Sequence, residues 1–352
     1  MGLIFLFYSN ALIIFVNFDI IKYINITIFD KINYKTKSKE KVYMEIQIVK
    51  FFQGLSNTVT DAIFWLITKL GEETVFLCLL AIVYLCYSDR FAVKLTFYYL
   101  ISVAVNNVLK VICRRPRPYV ASSEVVDRLH ASGYSFPSGH TQGYFVSATT
   151  CSLEINKKSN NNKVKISVVV LLSVIGILVM ISRMFWGQHY LTDVITGMTF
   201  GIALPFFLDF VLRILPNKVK DFFTIDRIYN ILGCIACVIL VANILINIFT
   251  GKSIDLIYKF ATVFLSMSIG YFINKKKIKY IANQGFVVGL LKSLITIACI
   301  AIIYIIFDLI FAIESYLCLV VYLFLGLFCT IILPIIFKLI FKKGYKNEES
   351  NN

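Results

Sequence analysis

The chain has 352 residues, is 59% hydrophobic and 16% charged, carries a formal net charge of +15, and has a mean hydropathy of +0.79. A soluble domain carries roughly 25% charged and 45–50% apolar residues, so this composition excludes an ordinary soluble core. It implies a polytopic membrane protein with spans of about 20 residues, and the charge does not imply nucleic acid, because most lysines lie in short runs between apolar segments.

The first 43 residues form an N-terminal extension. Residues 2–17 are apolar enough for an extra span, but no basic residue precedes them, as a secretory signal would require. A Lys-rich stretch follows, and Met44 then opens MEIQIVKFFQGLSN, so we expect a functional start at Met44 with both chain ends inside. The alternative is an eleventh span with an outer N terminus.

Apolar segments follow at 54–70, 74–88, 91–112, 139–153, 166–183, 190–211, 228–250, 256–273, 285–309 and 316–341. Alternating the sides puts Lys41 and Lys50, the lysines at 157–165, the basic residues at 213–227 and 275–279, and the polar tail 342–352 in the cytoplasm. The outer loop 113–138 breaks that pattern with Arg114, Arg115, Arg117 and Arg128. Topology does not explain these arginines, so ligand chemistry is the natural alternative. The nine cysteines form no disulfide framework, and Cys234 and Cys237 are expected as small buried hydrophobes.

Three polar clusters interrupt the apolar pattern. In KVICRRPRP, Lys110 and Arg117 are about two helical turns apart and can face one way; a stop-transfer charge cluster is the plainer alternative. In PSGH, Gly139 permits close backbone approach, and Ser138 can cap a helix whose first amides would bind phosphate oxygens. An ordinary cap accounts for Ser138 but not for His140. In SRMFWGQHYLTD, four-residue spacing would put His189 and Asp193 on one helix face. An aspartate there fixes the imidazole tautomer and leaves the other nitrogen as base or nucleophile, where a bland pair would only satisfy two polar groups.

The alternating topology brings all three clusters, with Arg183, to one membrane face. Three cations and a helix N terminus suit an anion with several oxygens, most simply a phosphoryl group. Two histidines then supply an attacking group and a proton donor. No Asp, Glu and His set has metal-ligand spacing, so neither metal nor cofactor is expected.

Together these stretches resemble the type-2 phosphatidic acid phosphatase family, PAP2, whose pattern is K-x6-R-P, P-S-G-H and S-R-x5-H-x3-D. Here it reads Lys110 with Arg117-Pro118, Pro137-Ser138-Gly139-His140, and Ser182-Arg183 with His189 and Asp193. The resemblance implies an all-α membrane bundle with a six-helix catalytic core over 54–213 and its site at the extracytoplasmic face. It implies that His189 forms a phosphohistidine, Asp193 orients it, and His140 is the general acid. Lys110, Arg117, Ser138, Gly139 and Arg183 would bind the phosphoryl group.

The implied activity is metal-independent hydrolysis of a membrane lipid phosphate or diphosphate, such as undecaprenyl diphosphate, phosphatidic acid or phosphatidylglycerol phosphate. Transfer to an alcohol, lipid transport without chemistry, and vanadate-dependent halogenation are the other readings. Residues 228–341 add about four spans that the motifs do not require. In these, Asp255, Asp308 and Glu314 are expected at solvated edges, whereas Lys292 is expected to snorkel, pair within the bundle or meet an anionic lipid. His130 belongs to no motif and is expected to be exposed.

Overall fold

The computed structural model describes residues 34–250, 255–282, 284–311 and 317–341. Most of the N-terminal extension, Glu314 and the tail 342–352 lie outside the described residues. Within them the chain is helical and contains no strand.

The helices are α1 (Tyr34–Gly54), α2 (Thr58–Lys69), α3 (Glu73–Cys86), α4 (Asp89–Cys113), the short α5 (Pro118–Ala121), α6 (Gly139–Lys158), α7 (Asn162–Phe185) and α8 (Leu191–Ile214). They are followed by α9 (Asn217–Phe222), α10 (Ile225–Thr250), α11 (Asp255–Ile273), α12 (Phe286–Phe311), α13 (Leu317–Leu327) and α14 (Leu333–Ile340), with π-helical turns at Asn274–Ile278 and Phe328–Ile332.

Each expected apolar segment meets a helix, and among the described residues six stretches are long and apolar enough to cross a membrane: Asp89–Ala121, Asn162–Phe185, Leu191–Ile214, Ile225–Ala242, Phe286–Ile306 and Val320–Ile340. The molecule is a multi-span membrane protein. The expected span at 54–70 needs correction. Its helix, α2, has 12 residues, about 18 Å of rise, against a hydrocarbon layer of about 30 Å. Asn57 fixes its start with a reciprocal cap: the side chain accepts from the Val59 and Thr60 amides, and Thr60 accepts from the Asn57 N–H.

Helix α6 is the opposite case. It has 20 residues, yet Thr141, Gln142, Ser147, Thr149, Thr150 and Ser152 are all buried. A helix enclosed by protein needs no lipid-compatible surface, provided its polar groups find partners. Asn106 of α4 supplies one, donating to Gln142 Oε1 at 2.9 Å, while Gln142 donates to the Ser102 carbonyl at 2.9 Å.

By its internal packing the chain divides into two units. The first comprises the described residues up to Phe76 together with Leu95–Arg213; the second comprises Leu77–Lys94 together with the described residues from Ile214 onward. In the first unit, α7 packs on α1, α2 and α6. Phe145, Val169, Met180, Met184, Val194 and Ile202 form an apolar cluster within it, which α8 closes. A Cβ on Gly197 would lie 2.7 Å from the Ser138 carbonyl oxygen, and one on Gly201 would lie 2.8 Å from that of Gln142. These two glycines therefore let α8 lie against the start of α6.

In the second unit α11 packs on α10 and α13, and Tyr229 stacks on Tyr271 with centroids 4.0 Å apart. Lys292 does not snorkel. It is 0% exposed, its ammonium donates to the Ile281 and Ala282 carbonyls at 3.3 and 3.2 Å, and the Tyr280, Phe337 and Phe341 rings face it. Cys234 and Cys237 are free and exposed rather than buried, because they lie on the face of α10 that the unit leaves uncovered.

Candidate active site

The site of the first unit is built where α6 and α8 begin. Ser138 is the N-cap of α6: its carbonyl accepts from the Gln142 amide, and its hydroxyl takes the Thr141 hydroxyl at 3.1 Å. The Ser138 amide donates to the Asp193 carbonyl at 3.0 Å, joining the two helix starts. Gly139 and His140 form the first residues of α6, where amides lack intrahelical acceptors and the helix dipole is positive.

His189 is not on a helix face with Asp193, as four-residue spacing suggested. Helix α8 begins at Leu191. His189 precedes it, while Asp193 lies in its first turn and accepts the Tyr190 amide through Oδ2 at 3.0 Å. That bond is one half of a capping box, so the aspartate is fixed by helix start rather than by helix periodicity. The His189 Nδ1 stands 3.5 Å from Asp193 Oδ2, without hydrogen-bond geometry, and has no hydrogen-bond partner among the described residues. The two groups are paired in space, but the expected hydrogen bond is not made.

Other residues hold Asp193. Arg115 donates to its Oδ1 at 2.8 Å and to Thr192 Oγ1 at 2.6 Å, pairs with Glu45 of α1 at 2.7 Å, and lies over the Tyr190 ring at 3.9 Å. Thr192 also donates to Glu45. The pattern search passed over Arg115 because it lies between the motif residues, and nothing in the sequence ties Glu45 to residues 147 positions away.

The three expected phosphoryl clamps reach one place. Lys110, Arg117 and Arg183 all act electrostatically on both His140 and His189. Burial first, and then these three cations, hold the His189 imidazole well below the usual histidine range; the Ser135 backbone beside it acts the other way. Its neutral form is therefore the resting one.

The clamps differ in what they have left to offer. Arg117 is buried and holds the loops: it donates to the Gly133 carbonyl through Nε, to Gln188 through Nη1 and to Ser132 through Nη2, at 2.8–3.1 Å. Lys110 donates to the Tyr134 carbonyl at 2.8 Å. Arg183, 3% exposed, donates from Nη1 to Thr68 of α2 at 2.7 Å, and its Nε has no partner. Glu72 is the carboxylate whose field reaches it, and Glu72 is already paired with Lys69. A buried guanidinium with an orphan N–H is costly until an anion arrives.

Of the remaining arginines of loop 113–138, Arg128 is structural, donating to Ser56 at 2.6 Å, whereas Arg114 is exposed and donates only to the nearby Val111 carbonyl. Gln53 of α1 bonds Val126 in both directions. Beside this pair Gly187 has φ +71, and a Cβ there would meet Gln53 and Val126 at 2.7 Å. His130 is exposed, with its amide on Asp127. No group of three His, Cys, Asp or Glu side chains gathers as metal ligands would among the described residues.

Comparison with known proteins now identifies the frame that carries this site. Residues 91–218 match the PAP2 superfamily, and residues 258–344 match the transmembrane extension of PAP2 superfamily phosphatases. The chain belongs to the PAP2 superfamily.

Among PAP2 relatives, undecaprenyl-diphosphatase BcrC of Bacillus subtilis (strain 168) is 29% identical over 188 residues, covering 49% of this chain and 91% of that protein. Phosphatidylglycerophosphatase B of the same organism is 34% identical over 122 residues, covering 34% of this chain and 54% of the relative. A crystal structure of a transmembrane PAP2-type phosphatidylglycerolphosphate phosphatase from Bacillus subtilis is 25% identical, with a TM-score of 0.44, over 52% of this chain and 90% of that one. Aquifex aeolicus LpxE is 21% identical, with a TM-score of 0.40, over 46% and 92%.

Proposed function

We propose that this PAP2 protein hydrolyses a phosphomonoester or diphosphate on a membrane lipid through a phosphohistidine at His189, at the extracytoplasmic face. The observation that carries the reading is the orphan pair Arg183 Nε and His189 Nδ1, two buried polar atoms without partners at one site. A phosphoryl oxygen would satisfy the first. Charge development on the nucleophilic ring would draw Asp193 onto the second.

In the proposed reaction Nε2 of His189 attacks phosphorus while the bond from phosphorus to the leaving oxygen breaks. His140, in its protonated form, gives its proton to that oxygen. Asp193 Oδ2 takes up the Nδ1 hydrogen bond as the ring gains positive charge, and Arg115 on Oδ1 keeps the carboxylate ionised. Lys110, Arg117 and Arg183 neutralise the equatorial oxygens, with Ser138 and the amides of Gly139 and His140 beside them. Water then attacks phosphorus, His140 takes one of its protons, and the P–N bond breaks to leave phosphate and neutral His189.

The relatives named for undecaprenyl diphosphate and phosphatidylglycerophosphate define the assay panel, with phosphatidic acid added. Purified protein should release inorganic phosphate from a member of that panel with chelator present. His189→Asn should abolish release and the acid-labile phosphoprotein. His140→Ala should slow turnover by roughly 10²–10⁴-fold, least for substrates with good leaving groups. Full activity in His189→Asn overturns the mechanism, and label appearing in a new lipid or sugar rather than in phosphate makes the enzyme a transferase.

A further inference from the structure

The second unit contains a cavity of about 600 Å³ that the phosphatase reaction does not use. Arg90, Lys275 and Lys279 line it together with Asp89, Tyr84 and Tyr280. Lys275 is neutralised by Asp226, which it meets at 2.6 Å. The side chains of Arg90 and Lys279 are exposed and make no ion pair or hydrogen bond among the described residues. Three cations therefore line the cavity against one lining carboxylate, Asp89, while Asp226 is spent on Lys275.

The wall of this cavity is built rather than accidental. The turn Asn274–Ile278 is π-helical and ends on Lys279 at φ 52, a left-handed conformation natural to glycine or asparagine and strained for lysine. Asn274 fixes that turn, accepting the Tyr280 amide at 3.0 Å and donating to the Tyr84 hydroxyl at 3.1 Å. The Tyr280 hydroxyl donates to the Leu85 carbonyl. Beneath them the buried ammonium of Lys292 holds the Ile281 and Ala282 carbonyls and faces the Tyr280 ring. Lys292 thus anchors the wall on which Lys279 is presented.

Two hydroxyls at or near the cavity have hydrogen-bonding capacity left. Tyr84 is 3% exposed and accepts from Asn274, which leaves its own proton to donate. Tyr229 is 0% exposed, its hydroxyl has no partner among the described residues, and its ring stacks on Tyr271 of the cavity wall. Free cations and unused O–H donors around one cavity are the chemistry of a phosphate-binding site.

We propose that this cavity of the second unit, walled on one side by the transmembrane extension, is a second, non-catalytic binding site for a phosphate-bearing anion, with Arg90 and Lys279 as its principal cations and Tyr84 as a hydroxyl donor. The same chemistry is offered by an anionic lipid headgroup and by free phosphate. It gives the extension, and its intramembrane lysine, a role in ligand binding.

Hydrogen exchange over residues 274–282 of the full-length protein tests this without turnover. The protein is placed in phosphatidylcholine nanodiscs, in discs containing phosphatidylglycerol, and in phosphatidylcholine discs with inorganic phosphate. We expect slower exchange of this segment with phosphatidylglycerol, with inorganic phosphate, or with both; the arm that slows it identifies the source. Arg90→Gln combined with Lys279→Asn, the asparagine keeping the left-handed turn, should lose the protection. Lys276→Asn combined with Lys277→Asn removes the same number of charges, both from the turn and neither from the cavity lining, and should keep it.

Exchange over Ile225–Ala242 reports that each variant is folded, and Lys279→Asn alone replaces the double variant if that one is not. No protection in any arm, protection surviving the cavity variants, or equal loss in the Lys276 and Lys277 variant overturns the proposal. His189→Asn should behave as the unaltered protein does, so failure of the catalytic reading leaves this result separate.

Discussion

His189 occupies an environment that no core histidine needs. It is 2% exposed, one ring nitrogen has no partner, and three cations act on it. Burial and those cations depress its proton affinity in the folded state, whereas in the unfolded chain it titrates at roughly 6.5. The unfolded state therefore binds more protons below that pH, and stability falls as the solution is acidified through it, with no such contribution above it. The slope from this one residue approaches about 1.4 kcal/mol per pH unit. Thermal unfolding at pH 7.5 and 5.5 should show a larger acid loss for the unaltered protein than for His189→Asn. Equal pH dependence in the two would mean that His189 is not held neutral by the fold.

At the scale of elements, apolar run and polar break gave helix existence and approximate ends, while depth and partners stayed hidden. Helix α2 reads as a weak span in the sequence but is short, capped by Asn57 and used to bring Thr68 to Arg183, 115 residues away. Helix α6 reads as a span with polar residues, and its buried threonines and Gln142 make sense only once α4, α7 and α8 surround it. The three motifs of the candidate site were legible because their spacing is local. The Glu45–Arg115–Thr192 support was not, because contacts across such distances leave no periodic trace.

The join between α6 and α8 has a local signature in Gly197 and Gly201, four apart. Gly197→Ala would drive a methyl group to 2.7 Å from the Ser138 carbonyl, and the obstacle is backbone, which cannot rotate away. We expect a loss of roughly 1–3 kcal/mol of stability and a fall in turnover, because Ser138 and Asp193 are joined by the amide bond between the helix starts. Phe207→Ala, on the exposed face of the same helix, should change stability by less than about 0.5 kcal/mol. Parallel thermal unfolding and phosphate-release assays measure both. Equal behaviour of the two variants would remove close helix contact as the reason for the glycine.

For the whole molecule the open physical question is which side of the membrane the site faces, and the answer turns on how the arginines of loop 113–138 are counted. The positive-inside rule weighs Lys and Arg near span ends, and by number alone this loop rivals the one holding Lys157, Lys158, Lys163 and Lys165. Three of its four arginines are nevertheless committed to the fold. Arg115 is paired with Glu45 and Asp193, Arg117 is bonded to loop carbonyls, and Arg128 meets Ser56 and Asp61. The lysines of the other loop, Lys157 apart, make no ion pair among the described residues. That asymmetry is the argument for the proposed outer placement of loop 113–138 and, with it, of His140 and His189. In a cysteine-free background, Ser123→Cys should react with a membrane-impermeant maleimide in intact cells, and Asn160→Cys only after permeabilisation. Both positions are exposed at loop tips, so reactivity reports side rather than burial. The reverse labelling pattern would move the phosphatase chemistry to the cytoplasmic leaflet, and the engaged arginines would then have to be read as topological signals after all.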